Sequence, residues 1–96
     1  GLSGNVHLVR PDGLVVVILR GIDGDAPPMR VRLVHPTDAG RDLEADLEPS
    51  GNVFRADIGQ ETAGRWLIQV EPVDRSWRLA GELAADASAV ELGTGT

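Results

Sequence analysis

The stretch Met29–Val34, MRVRLV, alternates apolar side chains with arginine, and Asp42–Glu48, DLEADLE, alternates acidic side chains with apolar ones. Successive residues of a β-strand point to opposite faces, so this two-residue period predicts two strands that each bury one face. The residues between them, 35–40, include the Pro, Asp and Gly that favour turns. The two stretches therefore predict an antiparallel hairpin with one apolar face and one charged face.

The charged face of this hairpin predicts cross-strand ion pairs. We expect Arg30 and Arg32 to lie opposite acidic side chains of the second strand, each pair contributing about 0.2 to 1 kcal/mol. The acidic candidates are Asp42, Glu44, Asp46 and Glu48. We favour a solvated charged face over an arginine patch that binds an acidic ligand.

Further strands are predicted along the chain. The continuous aliphatic run Leu14–Leu19 is typical of a central strand buried on both faces, and Val6–Val9 of a short first or edge strand. The alternation in Phe54–Ile58 turns Phe54, Ala56 and Ile58 inward. Trp66–Val70 and Ser76–Leu79 predict a second hairpin.

The spacing of these strands, without a convincing amphipathic helix between them, predicts an all-β fold. We expect an immunoglobulin-like antiparallel β-sandwich of about seven strands, with a small open β-barrel as the alternative. Residues 1–96 form one domain in this interpretation, with an ordered core over about 6–84 and a flexible C-terminal tail. The Ala-rich segment after Leu83 suits a strand, a short helix or a tail, and Gly93–Thr96 is expected to be disordered.

Composition argues against several function classes. The net charge of −6 disfavours binding to nucleic acid or to an anionic lipid surface. The absence of Cys excludes disulfides, thiol catalysis and thiolate metal sites. No apolar run is long enough to cross a bilayer, and nothing resembles a signal peptide.

The few residues suited to chemistry favour binding over catalysis. His7 and His35 are the plausible bases, but neither lies in a catalytic motif, so we predict no catalytic residue, no cofactor and no enzyme activity. With Met29, the two histidines are also the candidate copper ligands. Strand geometry puts Met29 and His35 roughly 18 Å or more apart. We favour Met29 in the core, His35 capping a loop and no metal site.

Two Asp-Gly segments and two tryptophans have alternative interpretations. Pro11–Gly13 and Asp23–Asp25 resemble calcium loops, but both lack the ligand spacing of an EF-hand and are favoured as turns. Trp66 and Trp77 are either core anchors between sheets or exposed anchors for a partner, and burial is favoured for both.

Four short blocks give the chain a family resemblance over Asp12–Gly81. They are Leu33–Asp38 (LVHPTD), Gly51–Ala56 (GNVFRA), Gly64–Trp66 (GRW) followed by Glu71-Pro72, and Trp77–Leu79 (WRL). In this order they resemble the periplasmic domain of the FixH family, proteins of nitrogen-fixation gene clusters that are linked to cytochrome cbb3 oxidase assembly. The GRW block followed by a second Trp is the more specific part of the resemblance.

The resemblance implies a non-enzymatic assembly module at the periplasmic face of the bacterial cytoplasmic membrane. It implies an N-terminal transmembrane helix upstream and a role in oxidase maturation beside a copper-transporting ATPase, with oxidase or copper-transporter subunits as protein partners. It assigns no catalytic or ligand residue. Two alternatives stay open: a direct copper carrier using His35 or His7, and a generic immunoglobulin-like adhesion or interaction module of a larger extracellular protein.

Overall fold

Eight β-strands make up the regular structure in a computed structural model that describes residues 3–9, 13–21, 28–37, 40, 42–50, 53–59 and 64–94. The strands are β1 (Ser3–Val9), β2 (Leu14–Arg20), β3 (Met29–Val34), β4 (Leu43–Ser50), β5 (Val53–Asp57), β6 (Trp66–Pro72), β7 (Leu79–Leu83) and β8 (Ala89–Thr94). Within the described ranges no helix has the length and apolar character needed to span a membrane.

The strands close into one barrel in the order β1-β2-β5-β4-β3-β6-β7-β8, and every neighbouring pair is antiparallel. In this order two strands separate β2 from β3, and two strands separate β5 from β6. The start of β1, the β4–β5 connection and the β6–β7 connection lie at one end, which we call the lower end. The β3–β4 and β5–β6 connections lie at the upper end.

The barrel interior is an aliphatic core around two aromatic rings. Alternation puts one side of each strand inward, as period-two patterning requires. The buried apolar residues are Val6, Leu8, Val15, Val17, Leu19, Met29, Val31, Leu33, Leu47, Phe54, Ala56, Trp66, Ile68, Val70, Leu79, Leu83 and Leu92. The predicted core positions of Met29, Phe54, Ala56 and Trp66 are confirmed, whereas Ile58 and Trp77 are partly buried and pack against this core.

The all-β antiparallel prediction is confirmed, but the immunoglobulin-like sandwich of about seven strands is replaced by a closed barrel. The small-barrel alternative is nearer, although the sheet closes instead of remaining open. The difference depends on β8, which pairs with β1 and with β7 and joins the two ends of the sheet. We expected the ordered core to end near residue 84, but β8 extends the regular structure to Thr94. Gly95 and Thr96 lie outside the described residues.

Two strands differ from their predicted environments. In β2, Val15, Val17 and Leu19 are buried, while Leu14, Val16 and Ile18 are only partly buried on the outer face. The expected burial of both faces was wrong, because a barrel has one interior and, among the residues that the structure describes, no second layer covers the outer face of β2. β1 is the first strand, as one of the two predicted alternatives has it, but it is not an edge strand, since it pairs with β2 and β8.

Candidate functional site

The two histidines lie on opposite sides of the barrel. His7 is exposed on the outer face of β1, and His35 follows the last residue of β3. In the closed order, β1 and β3 are four strands apart in either direction, which is the largest separation that eight strands allow. His7 and His35 therefore cannot share a metal ion. Met29 lies in the core at the start of β3, roughly 20 Å along the strand from His35.

His35 is held by contacts on several sides at the upper end. Its backbone N–H donates to Asp42 Oδ1 at 3.0 Å, and the backbone N–H of Thr37 donates to its Nδ1 at 3.3 Å. Its ring meets Trp66 edge to face, with ring centroids 5.4 Å apart and an interplanar angle of 87°. Asp42 also accepts from Arg32, with an Nη2 to Oδ2 distance of 3.2 Å. These contacts agree with the loop-capping interpretation of His35.

A groove of about 380 Å³ lies beside His35 on the outside of the barrel. Val34 and Leu67 are cross-strand neighbours and form its apolar part, and His35 and Pro36 border it. An ion pair between Arg65 Nη1 and Glu82 Oε1, 3.4 Å long, lies on the other side. The groove has an aliphatic floor and a polar rim.

This upper-end groove brings together two sequence blocks that are about thirty residues apart. Residues 34–36 come from the block LVHPTD, and Arg65 comes from the block GRW. Gly64 begins the approach to β6 with a φ of 100°, a conformation that a residue with a Cβ rarely adopts. The sequence blocks were recognisable in advance, but their contact and the Arg65–Glu82 pair depend on the register of β3, β6 and β7.

The predicted ion pairs on the hairpin of β3 and β4 are present. Arg30 contacts Glu44 at 3.2 Å and Asp46 at 3.3 Å, and Arg32 contacts Asp42. The arginine side chains are about half exposed, at 47% and 48%, so each pair is worth about 0 to 1 kcal/mol. This is the solvated charged face that the alternation predicted. Glu48, the fourth acidic candidate, instead lies in register with Arg55 of β5.

The lower end carries a second group of polar residues around the β6–β7 connection. Arg78 pairs with Glu71, with an Nη2 to Oε2 distance of 3.1 Å. Asp74 Oδ1 accepts from the backbone N–H of Ser76 at 2.9 Å. Hydrogen bonds from the Ser76 backbone and then from its side chain lower the pKa of the Asp74 carboxyl below its usual value of 3.8. The connection is thus an ordered turn, which the sequence indicated only as the link of a hairpin.

The two Asp-Gly segments lie mostly outside the described residues. Pro11, Asp12 and Asp23–Asp25 lie outside the described residues, and Gly13 has a φ of 70°, as a turn requires. Within the ranges that the structure describes, no three His, Cys, Asp or Glu side chains are grouped in a way that could hold a metal ion.

The fold and surface define a class: a small closed antiparallel β-barrel with an aliphatic interior and its polar groups on the outside and at the two ends. The FixH family model matches residues 1–84 of the 96, so the chain belongs to the FixH family. Comparison with curated proteins and with solved structures gives no match. Family membership confirms the resemblance carried by the four sequence blocks.

Proposed function

We propose that this domain is a non-enzymatic assembly module, tethered at the periplasmic face of the cytoplasmic membrane, that supports cytochrome cbb3 oxidase maturation and the associated copper transport. The match to the FixH family over residues 1–84 is the observation that carries the proposal. The tether is a transmembrane helix that precedes β1 in the full protein. Oxidase or copper-transporter subunits are the partners.

The geometry supports docking as the mode of action. The described interior is packed with aliphatic side chains around Trp66 and Phe54, so the outer faces and the barrel ends are the surfaces that can meet a partner. Closure of the barrel also pairs each strand on both sides, which disfavours addition of a partner strand. A partner must then recognise side chains, and the upper-end groove between Val34 and Leu67 is one such surface.

Deletion of the gene tests the assembly role. We expect loss of assembled, active cbb3 oxidase from the membranes, restored by the full-length gene. The tagged full-length protein is expected to co-purify with oxidase or copper-transporter subunits. A deletion strain that assembles the oxidase at the normal level would contradict the proposal.

A copper titration separates docking from copper transfer by the domain itself. Because His7 and His35 lie on opposite sides of the barrel, a copper ion can bind only one of them at a time. We expect the ring resonances of both histidines to stay in place when stoichiometric Cu(I) or Cu(II) is added and followed by NMR. A stoichiometric shift of either ring, abolished by His7→Ala or His35→Ala, would support the carrier alternative instead.

A further inference from the structure

The connection between β6 and β7 contains an exposed, hydrogen-bonded turn formed by Val73, Asp74, Arg75 and Ser76. The Arg75 backbone N–H donates to the Pro72 carbonyl at 2.9 Å and closes a β-turn. The Ser76 backbone N–H donates to the Asp74 carboxylate. A third bond, from the Val73 N–H to the Pro28 carbonyl at 3.0 Å, ties the turn to the residue before β3. These three hydrogen bonds order the turn in the unbound domain.

Arg75 adopts an unfavourable backbone conformation within this turn. Its φ is 59°, and it is the one non-glycine residue with positive φ in the described part of the chain. A left-handed conformation brings Cβ close to the backbone, so Gly or Asn is the usual residue at such a position. A strained residue of this kind is an observation from which a functional role can be inferred. Because Arg stands where Gly or Asn is usual, we infer a role for its guanidinium group.

The turn displays one aliphatic and one cationic side chain to solvent. Val73 is 61% exposed, the highest value among the described large hydrophobic residues. Arg75 is exposed, and its side chain makes no hydrogen bond or ion pair with any residue that the structure describes. In contrast, Arg65 and Arg78 are each paired with a carboxylate of a neighbouring strand. The Asp74 carboxylate beside Arg75 is engaged by Ser76.

The turn lies at the end of the barrel where the chain enters β1. Pro72 is in register with Met29 at the start of β3, and Ser3 is in register with Arg20 at the end of β2, which places Val73–Ser76 and Ser3 at the lower end. A tether that precedes β1 would hold this end toward the membrane. The proposed orientation depends on the tether, and therefore on the function proposed above.

We propose that Val73–Ser76 is a docking turn that binds the extramembrane surface of a membrane-protein partner. Val73 packs into an apolar depression on that surface, and Arg75 pairs with a carboxylate at its rim. Ordering the turn in advance lowers the entropic cost of binding, as for other preorganised recognition loops. A lone valine and arginine on a protein of net charge −6 favour a protein carboxylate over a lipid surface.

Site-specific cross-linking in native membranes tests this proposal with the full-length protein. Since these 96 residues contain no Cys, Val73→Cys provides an attachment point for an apolar benzophenone cross-linker. Val9→Cys, at a second exposed valine on β1, four strands away from β3, is the matched control position. We expect a discrete adduct from position 73, identified by mass spectrometry as a membrane protein, and at least a tenfold lower yield of that adduct from position 9.

Substitutions of Arg75 separate recognition from stability. Arg75→Gly relieves the left-handed strain, so the melting temperature is expected to stay equal or rise, while the adduct yield from position 73 falls at least tenfold. Arg75→Glu is expected to abolish the adduct, and Arg75→Lys to retain part of it. A yield unchanged by Arg75→Glu, no adduct at position 73, or an adduct with lipid alone would overturn the docking turn.

The identity of the adduct distinguishes this inference from the proposed function. A cross-link to an oxidase or copper-transporter subunit that depends on Arg75 supports both. A cross-link to a different membrane protein with the same dependence on Arg75 supports the docking turn and contradicts the oxidase role.

Discussion

Replacement of Gly81 by alanine tests whether β8 closes the barrel. A Cβ at Gly81 would lie 2.8 Å from the backbone oxygen of Glu91 and 2.9 Å from Cδ2 of Leu92. Real Cβ atoms essentially never show contacts under 3.0 Å. The Leu92 methyl can rotate away, but the Glu91 oxygen belongs to the backbone of β8. The added methyl group therefore forces β8 away from β7 or strains both strands.

The cost of Gly81→Ala can be bounded from this geometry. Overpacking of a well-packed site usually costs about 1 to 3 kcal/mol of the free energy of unfolding. For a domain of this size, 1 kcal/mol corresponds to a change of about 4 to 8 °C in melting temperature, so we expect Tm to fall by roughly 4 to 24 °C. We expect this loss of stability to arise where β7 pairs with β8, with Leu79 opposite Thr94 and Ala80 opposite Gly93.

Gly93→Ala, in the same pair of strands, is the matched control. A Cβ at Gly93 meets no atom within 4 Å, so this variant is expected to stay within about 0.5 kcal/mol of the wild type. Urea unfolding followed by far-UV circular dichroism measures both variants. Amide hydrogen exchange is expected to speed up in β8 of Gly81→Ala. Equal stability of the two variants, or a Gly81→Ala protein as stable as the wild type, would refute closure through β8.

Three further outcomes follow from buried or bonded side chains. Asp42→Ala leaves the His35 N–H without its 3.0 Å acceptor and is expected to lower the free energy of unfolding in urea by about 1 to 3 kcal/mol. Asp42→Asn keeps an acceptor oxygen and is expected to lower it less. Equal losses in the two variants would contradict the role of this hydrogen bond. Trp66→Ala is expected to lower the free energy of unfolding by about 3 to 5 kcal/mol, a large part of the roughly 5 to 15 kcal/mol typical of a domain. A smaller loss than that of Asp42→Ala in the same assay would argue against Trp66 as the core anchor. In an NMR titration, Ser76→Ala is expected to raise the pKa of Asp74 part of the way toward 3.8, because the backbone hydrogen bond remains. Since the folded pKa is depressed, the stabilisation is present above about pH 4 and is lost as the pH falls through the folded pKa. An unchanged Asp74 titration in Ser76→Ala would contradict the hydrogen bond from the hydroxyl group.

The local period of the chain determined which side chains point inward and which form ion pairs. Alternation in Met29–Val34 and in Asp42–Glu48 was sufficient to predict a hairpin with Arg30 and Arg32 opposite acidic residues, and the structure confirms it. The same reasoning placed Phe54 and Trp66 in the core. These predictions succeeded because the two faces of a strand are a property of the backbone itself.

Tertiary structure alone decided how the strands are arranged around one another. A two-residue period shows which side of a strand is buried but not which strand lies beside it, so a sandwich and a barrel predict the same alternation. The closing strand β8 has a weak apolar pattern in which Leu92 is the one fully buried side chain among those described, and its place depends on close backbone approach at Gly81. That non-local packing puts His7 and His35 on opposite sides of the barrel. It also brings together the residues that line the upper-end groove, and it places the Val73–Ser76 turn at the end where β1 begins.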